Sequence, residues 1–589
     1  MTSGVEAKAP ATGAVSASDR ALAADPRFLE SRGWTSSGDE CAPKRIAILS
    51  LASLPASEPL PSVSYHSRGN LLIVAAEAPE RARQAAEQLA GDLHVTLLVS
   101  AHAPQATGYA VWSGRLEALD GYLGEFTVTV AGLRMSDAAP SAGPIPAKFD
   151  LVLDFSRASL FTMRQPPQGY FAAPQDDDAL AQVLQELRES VGEFEKPRFF
   201  NYRENLCAHS RSQVEGCNAC IEVCSTGAIS SDGDRVKVDP HLCMGCGTCA
   251  TVCPSGAMGY QFPRLADRGA QVKQLLAAYR EAGGADPAIV FHNGHDGRGL
   301  LERAAAAGRG LPPHVLPLEA WHVSSIGLDV LLPAIAFGAR QVLILSAGSE
   351  DAEENAALRA QMAIGEAIVQ ALGYGGRHFE LVEAGDPEAL HGALAALGSA
   401  QGVSLPATFL VSNDKRTAVE FALEHLAKLA PRPVAEIALP AGAPYGEVKV
   451  DRQKCTMCLA CVGSCPESAL MDGVDVPLLK FLERNCVQCG LCEATCPEDA
   501  ITLSPRLLLT PAVREARVLN ETQPFHCIRC SKPFGTRQMV DAMMGRLAAH
   551  SMFTQGGALR RLQMCADCRV VDMMAAKDEV SVLRLGADS

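Results

Sequence analysis

The placement of cysteine constrains this chain more than any other feature. All of its 21 cysteines except Cys41 lie in three short segments, and none lies between Cys253 and Cys455. In one segment the spacing Cys-x2-Cys-x2-Cys-x3-Cys-Pro occurs twice, beginning at Cys455 and at Cys486. Clustered cysteines in a reducing compartment bind metal, because disulfides do not persist there. The pattern therefore predicts a metalloprotein.

The repeated spacing is typical of chains that hold two [4Fe–4S] clusters. Three thiolates within a short run can bind one face of a cluster, and the fourth cysteine then binds the neighbouring cluster. The proline after each fourth cysteine fixes φ and turns the chain away. A zinc site is the alternative, but eight cysteines at this spacing with both prolines favour iron–sulfur clusters. The predicted ligand sets are Cys455, Cys458, Cys461 and Cys496 for one cluster, and Cys486, Cys489, Cys492 and Cys465 for the other.

An earlier cysteine segment repeats this pattern at a nearly constant distance. Cys217 and Cys243 lie 241 and 243 residues before Cys458 and Cys486, and the cysteines that follow keep those offsets. The sequences after the fourth cysteines are also alike, namely CSTGAI, CPSGAM, CPESAL and CPEDAI. This repetition predicts a second pair of clusters. Cys243, Cys246, Cys249 and Cys224 are expected to bind one, and Cys217, Cys220, Cys253 and one further ligand the other.

One ligand position departs from the repeat. The residue that corresponds to Cys455 is Val214, and the nearest upstream thiol is Cys207. We expect a loop insertion to let Cys207 complete this set; the alternative is a cluster held by three thiolates. A longer loop should leave the cluster more solvent-accessible and give it a potential different from those of the other three.

The third cysteine segment has a different spacing. Cys527-x2-Cys530 and Cys565-x2-Cys568 form two pairs of the kind that build tetrahedral four-thiolate zinc sites, and Phe534 follows the first pair. A single iron, another iron–sulfur cluster and no metal are the alternatives. The long gap between the pairs includes a run with helical periodicity at 538–549. We predict structural zinc here.

The two [4Fe–4S] segments resemble bacterial-type dicluster ferredoxins, which implies electron transfer. The whole arrangement, ending in Cys-Ile-Arg-Cys-Ser-Lys-Pro-Phe, resembles large iron–sulfur proteins that accompany bacterial formate dehydrogenases, which implies such an enzyme as a partner. The stretch 287–385 resembles the delta subunit of the methyl-viologen-reducing hydrogenase family. That likeness implies an α/β fold. It implies no cluster, because the cluster cysteines of that subunit are absent here and the corresponding strand end at 345–348 reads Leu-Ser-Ala-Gly.

The remaining sequence predicts a multidomain protein of mixed α/β and α+β class. Apolar runs at 45–51, 70–76, 95–101 and 150–155 are expected to be strands, and 79–90 and 176–191 helices. Strands at 288–292, 341–345 and 379–382 alternate with helices at 300–307, 355–372 and 417–429, which favours a parallel sheet. The predicted domains are a disordered tail at 1–43, an α/β domain at 44–198, dicluster module 1 at 199–262, a cysteine-free α/β domain at 263–445, dicluster module 2 at 446–508 and a four-cysteine zinc-ribbon-like piece at 509–589.

Charge and hydropathy restrict the partners. A net charge of −15 argues against binding to nucleic acid or to anionic lipid, because each requires a basic face. No apolar run approaches the ~20 residues of a membrane-spanning helix, and the first residues show no export signal. We therefore expect a cytoplasmic protein without membrane insertion, whose partners are redox proteins.

Four further features are interpreted as structural. Cys41 is expected to be an ordinary thiol and His209 a solvated loop residue. The acidic run 350–354 is expected to begin a helix, where carboxylates are favourable. Two histidines in 291–295 lie at a predicted strand end, where open α/β sheets place ligand sites, but we interpret them as structural too.

Together these patterns predict intracellular electron transfer through four [4Fe–4S] clusters between redox enzymes. One alternative is a cluster-bearing oxidoreductase subunit with a flavin or substrate site in an α/β domain, although no Gly-x-Gly-x-x-Gly fingerprint supports a dinucleotide site. Another is a maturation factor for a molybdenum or tungsten enzyme. The sequence does not decide whether the chain is itself an enzyme, and we predict no catalytic residue.

Overall fold

A computed structural model describes residues 38–75, 78–100, 108–135, 141, 143–308, 310–473, 476–553 and 557–575. The predicted tail at 1–43 lies almost entirely outside these residues. The described chain is a multidomain assembly of helices and sheets. None of the helices in these ranges has the length and apolar character that a membrane span requires.

The N-terminal α/β domain is built on a seven-stranded sheet. The described elements up to residue 197 are α1 (Ala42–Ser50), β1 (Ser62–Ser67), β2 (Asn70–Ala75), α2 (Pro79–Leu89), β3 (His94–Val99), β4 (Ala110–Asp120), β5 (Phe126–Arg134), β6 (Ile145–Phe149), β7 (Leu151–Asp154), β8 (Tyr170–Ala172), α3 (Asp177–Glu189) and β9 (Gly192–Pro197). The sheet order is β6-β5-β4-β3-β2-β7-β8, and only the β4–β5 and β5–β6 pairs are antiparallel. The central strands are buried on both faces, as expected for a parallel sheet.

Dicluster module 1 consists of short elements around its cysteines. They are β10 (Phe200–Tyr202), β11 (Ser210–Arg211), β12 (Val214–Glu215), α4 (Ala219–Glu222), β13 (Ile229–Asp232), β14 (Arg235–Val238), α5 (Thr248–Val252) and β15 (Met258–Tyr260). Antiparallel pairing joins β10 to β15, β11 to β12 and β13 to β14. Helices α4 and α5 each contain the third cysteine of a run and lead to the fourth. The metal ligands therefore lie on loops and very short helices.

The middle domain contains the predicted parallel sheet. Its elements are α6 (Leu265–Glu281), β16 (Ala288–Asn293), α7 (Asp296–Ala306), β17 (Val315–Ala320), α8 (Leu328–Ala336), β18 (Gln341–Ser346), α9 (Ala352–Ala371), β19 (Phe379–Glu383), α10 (Pro387–Ala395) and α11 (Lys415–Lys428). All strand pairs are parallel, in the order β17-β16-β18-β19. The acidic run begins α9 as expected, because Asp351 and Glu354 form a capping box.

Module 2 and the C-terminal piece follow the middle domain. Their elements are β20 (Glu436–Ala438), β21 (Gly446–Val450), α12 (Ala460–Ser464), β22 (Leu470–Asp472), β23 (Leu478–Phe481), α13 (Leu491–Ala494), β24 (Ile501–Leu508), β25 (Arg517–Glu521), β26 (Pro524–His526), β27 (Pro533–Thr536), α14 (Arg537–Leu547), α15 (Ala558–Arg561) and α16 (Ala566–Ala575). β25 pairs with β23 of module 2. The first strand of the C-terminal piece therefore belongs to the sheet of the ferredoxin module.

The predicted strand at 45–51 is wrong, because α1 is a helix there. Pro43 occupies its first turn, where a proline is tolerated, and a short apolar run has no periodicity that separates strand from helix. The helix packs against α6 and joins the core of the middle domain through Ala47 and Ile48. Lys44 is fully buried and donates to the carbonyls of Leu311 (2.9 Å) and Pro312 (2.7 Å).

Candidate iron–sulfur and metal centres

Module 2 gathers eight cysteines into two groups. In the first group, the pKa of the Cys461 thiol rises to about 12 because of burial and the nearby charges of Cys455, Cys458 and Cys496. The same four cysteines line one pocket. These are the four residues predicted to bind one cluster.

The second group lies beside the first. Burial and the charges of Cys465 and Cys486 raise the pKa of the Cys489 thiol to about 12. A second pocket is lined by Cys465, Cys486, Cys489 and Cys492. The fourth cysteine of each run thus lies with the first three of the other, as the spacing predicts.

Module 1 repeats this arrangement for one group. Burial together with the charges of Cys246, Cys243 and Cys224 raises the pKa of the Cys249 thiol. Thr248 donates from its hydroxyl to the Cys246 sulfur at 3.4 Å. The predicted set is therefore brought together around buried sulfur atoms.

The irregular group includes Cys207. Burial and the charges of Cys253, Cys217 and Cys207 raise the pKa of the Cys220 thiol. The insertion between Cys207 and Cys217 forms the β11–β12 hairpin, which returns the chain to the other three thiols. The structure thus places Cys207 where the missing ligand is expected.

His209 is not the solvated residue that we predicted. Its side chain is buried; Nε2 lies 2.8 Å from the Ser231 hydroxyl, and Nδ1 lies 3.3 Å from the Cys217 carbonyl oxygen. The imidazole therefore connects the inserted loop to β13. A single histidine in a polar loop carries no sequence signal for this burial.

The cysteines of the irregular set are not the most exposed of the four sets, and the accessibility of the cluster itself stays a prediction. Cys207, Cys217 and Cys220 are half-buried and Cys253 is buried, whereas Cys458 of module 2 is exposed. The inserted hairpin packs against α13 instead of extending into solvent. Loop length therefore did not translate into exposure.

The backbone between the cysteines supports a common ligand geometry. In the three regular runs, the residue before the second cysteine and the residue after it both have positive φ, between 54° and 86°. Glycine supplies this conformation at Gly245, Gly247 and Gly490, while Met457 and Leu459 adopt it with side chains, which costs free energy. Such strain persists where the surroundings demand one backbone path, as a ligand-binding loop does.

Donors to sulfur complete the fit to iron–sulfur clusters. Backbone N–H groups of Met258, Ala469 and Ala500 donate to the sulfur atoms of Cys253 (3.4 Å), Cys465 (3.2 Å) and Cys496 (3.4 Å), respectively. Buried thiols with raised pKa values stay protonated at neutral pH unless a metal ion displaces the protons. Sixteen cysteines in four such groups fit four-iron clusters.

The C-terminal cysteines form one compact group. The sulfur atoms of Cys527, Cys530, Cys565 and Cys568 all lie within 4.8 Å of one another. The Cys530 and Cys565 sulfurs are 3.7 Å apart, close to the ~3.8 Å edge of a tetrahedron with ~2.3 Å zinc–sulfur bonds. Burial acts to raise the pKa of the Cys527 thiol, but backbone N–H groups of Cys565, Cys530 and Arg529 lower it to about 6. This group can bind a metal; its identity as zinc stays a prediction.

Two side chains beside the clusters were missed by the sequence. Tyr202 packs with Cys207 in the buried cluster of module 1, and Glu354, near the start of α9, lies close to Cys246 because α9 packs against α5. Burial raises the pKa of the Glu354 carboxyl. Glu354 is far from Cys246 in the chain, so only the packing of the middle domain on module 1 reveals this proximity.

Comparison with known proteins supports the two modules. A family model described as a 4Fe-4S dicluster domain matches residues 215–257, and a second model of the same description matches residues 454–501. No curated protein matches the chain. The predicted pair of dicluster ferredoxin domains is therefore confirmed, and this is an iron–sulfur protein. The first match begins after Cys207, so the role of that residue stays a prediction.

Proposed function

We propose that this protein transfers electrons between redox enzymes in the cytoplasm through four [4Fe–4S] clusters. The observation that carries the proposal is the grouping of 16 cysteines into four sets, each with its fourth thiol supplied by the neighbouring run. When bound, [4Fe–4S] clusters supply one-electron chemistry with little change in geometry. The two ferredoxin domains imply redox partners, and a formate dehydrogenase is the first to test.

The chain's own residues set where and how the clusters are held. Backbone donors and the hydroxyl of Thr248 direct hydrogen bonds at ligand sulfurs, and partial burial limits the contact of most ligand cysteines with water. Both factors tune the reduction potential of a cluster. The exposed Cys458 gives one cluster site a direct path to a docked partner.

We assign a structural role to the C-terminal metal site. The Thr536 hydroxyl donates to the Thr456 carbonyl at 3.0 Å, and Arg546 forms an ion pair with Glu498. Both contacts hold the C-terminal piece against the loops around Cys455 and Cys496. Zinc at the four thiols would stabilise this piece without taking part in electron transfer.

Metal analysis and redox titration test the proposal. Anaerobically purified protein should contain about 16 iron atoms and about 16 acid-labile sulfides, and EPR should detect four reducible centres. Iron near eight would show that one module carries no clusters. Centres that cannot be reduced and reoxidised reversibly would contradict electron transfer as the function. Proteins that co-purify anaerobically would identify the partner.

A further inference from the structure

The inserted hairpin of module 1 contacts module 2. Strand β12 packs against α13, the short helix that lies between Cys489 and Cys496. Gly216, which follows β12, occupies the centre of the contact. A Cβ atom on Gly216 would lie 2.6 Å from Cγ and 2.9 Å from Cδ2 of Leu491, closer than side chains approach. The two modules can therefore meet at this distance only because residue 216 has no side chain.

Ligand cysteines flank both sides of this contact. Cys217 directly follows Gly216, and Cys489 lies two residues before the fully buried Leu491. The irregular set of module 1 thus faces the Cys465–Cys492 set of module 2.

Similar contacts exist within each module. In module 1, helix α4, which contains Cys220, contacts α5, which contains Cys249. In module 2, α12 with Cys461 contacts α13 with Cys492. The four sets therefore follow one another in a single row. The row begins at the Cys243 set, where α5 packs against α9 of the middle domain, and ends at the Cys455 set with the exposed Cys458.

We propose that the Gly216–Leu491 contact is the junction through which electrons pass between the two modules. This inference rests on the proposed electron-transfer function. The inserted loop, which interrupts the ferredoxin spacing in module 1, serves to dock module 1 on module 2 at this point. Electrons then travel in the order Cys243 set, irregular set, Cys465–Cys492 set and Cys455 set, or in reverse.

Gly216→Ala tests the junction, with Gly463→Ala as the matched control. A Cβ on Gly463 meets nothing within 4 Å, so the control adds a methyl group to module 2 without a clash. In Gly216→Ala we expect weaker EPR spin–spin interaction between the modules when all clusters are reduced. After partial reduction by a light flash, freeze-quench EPR should show slower redistribution of electrons between modules. Overpacking should also make amide exchange at 208–217 roughly tenfold faster.

A double variant separates the junction from strain within the hairpin. The new Cβ would also lie 2.7 Å from the Ala208 carbonyl oxygen, so Gly216→Ala alone can disturb the hairpin itself. Leu491→Ala removes the atoms that clash across the junction. Combined with Gly216→Ala, it should restore the spin interaction and the redistribution rate, whatever the iron content of the single variant.

Two results would overturn the junction. One is a fully loaded Gly216→Ala protein whose spin interaction and redistribution rate equal those of Gly463→Ala. The other is a double variant that is no better coupled than Gly216→Ala. Failure of the electron-transfer function itself gives a different result: the wild-type clusters would not be reduced and reoxidised reversibly. Amide exchange at 208–217 would still be faster in Gly216→Ala, because it reports the contact and not the electron transfer.

Discussion

The backbone N–H of Val236 donates a hydrogen bond at 3.2 Å to the hydroxyl of Tyr202, and the Tyr202 side chain packs with Cys207 in the same buried cluster of module 1. Strand β10 and hairpin β13–β14 thus hold Cys207 from two sides. A thiol fixed in this way, next to three other thiols, is positioned for a ligand role that the regular spacing assigns to residue 214.

Replacing Cys207 with Ser should damage one cluster and spare three. We expect iron to fall below about 16 and EPR to show an altered or three-iron species beside three intact clusters. Cys41→Ser is the control, because Cys41 is buried in the core of the middle domain. An unchanged spectrum and iron count in Cys207→Ser would mean that this cluster has three thiolate ligands and an open iron.

Replacing Tyr202 with Phe should make the potential of the irregular cluster more negative. The Tyr202 hydroxyl lies near the Cys207 thiol, and a polar hydroxyl there favours the reduced, more negatively charged state, so its removal disfavours reduction. An interaction of ~1 kcal/mol, the size of a net hydrogen bond, corresponds to ~40 mV for one electron, so we expect a shift of tens of millivolts. Potentiometric EPR titration measures it. Tyr374→Phe, which removes a hydroxyl bonded to the Leu426 carbonyl, should leave all potentials in place.

Replacing Cys565 with Ser should remove the C-terminal metal. Wild-type protein is expected to contain roughly one zinc per chain, and the variant none, with iron unchanged. The metal is expected to stabilise the piece that Thr536 attaches to the Thr456 carbonyl. Proteolysis of the 524–575 region should therefore become faster in the variant. Absence of zinc together with iron above about 16 in the wild type would show that the site holds iron.

The cysteine sets could be predicted because ligand spacing is local and repeated. Each predicted set is brought together in the structure, although ligation itself stays a prediction. The parallel sheet of the middle domain followed from strand–helix alternation. Strand β17 was missed because Pro317 interrupts its apolar run, and α1 was mistaken for a strand because its apolar run is short.

What the sequence could not supply are contacts between distant segments. The Gly216–Leu491 approach and the proximity of Glu354 to Cys246 depend on how modules pack, and a glycine or a glutamate in isolation carries no sign of either. His209 shows the same limit, since its burial depends on β13. Local patterns predict ligands, whereas long-range packing determines which clusters are neighbours and what tunes them.

Protonation of Lys44 should make the docking of α1 depend on pH. Burial lowers the pKa of the Lys44 ammonium group to about 7, and the charge of Cys41 only partly opposes this, whereas an exposed lysine titrates near 10.5. Between these values the undocked helix binds more protons than the docked one, so docking becomes more stable as pH rises from 7. Amide exchange in α1, corrected for intrinsic rates, should show protection growing from pH 7 to 9.5 by up to ~1.4 kcal/mol per pH unit.

Lys44→Met should abolish this dependence. Lys273→Met, which removes a half-buried lysine that also donates to two carbonyls, should keep it. Equal pH dependence in the wild type and in Lys44→Met would show that Lys44 does not change its protonation on docking.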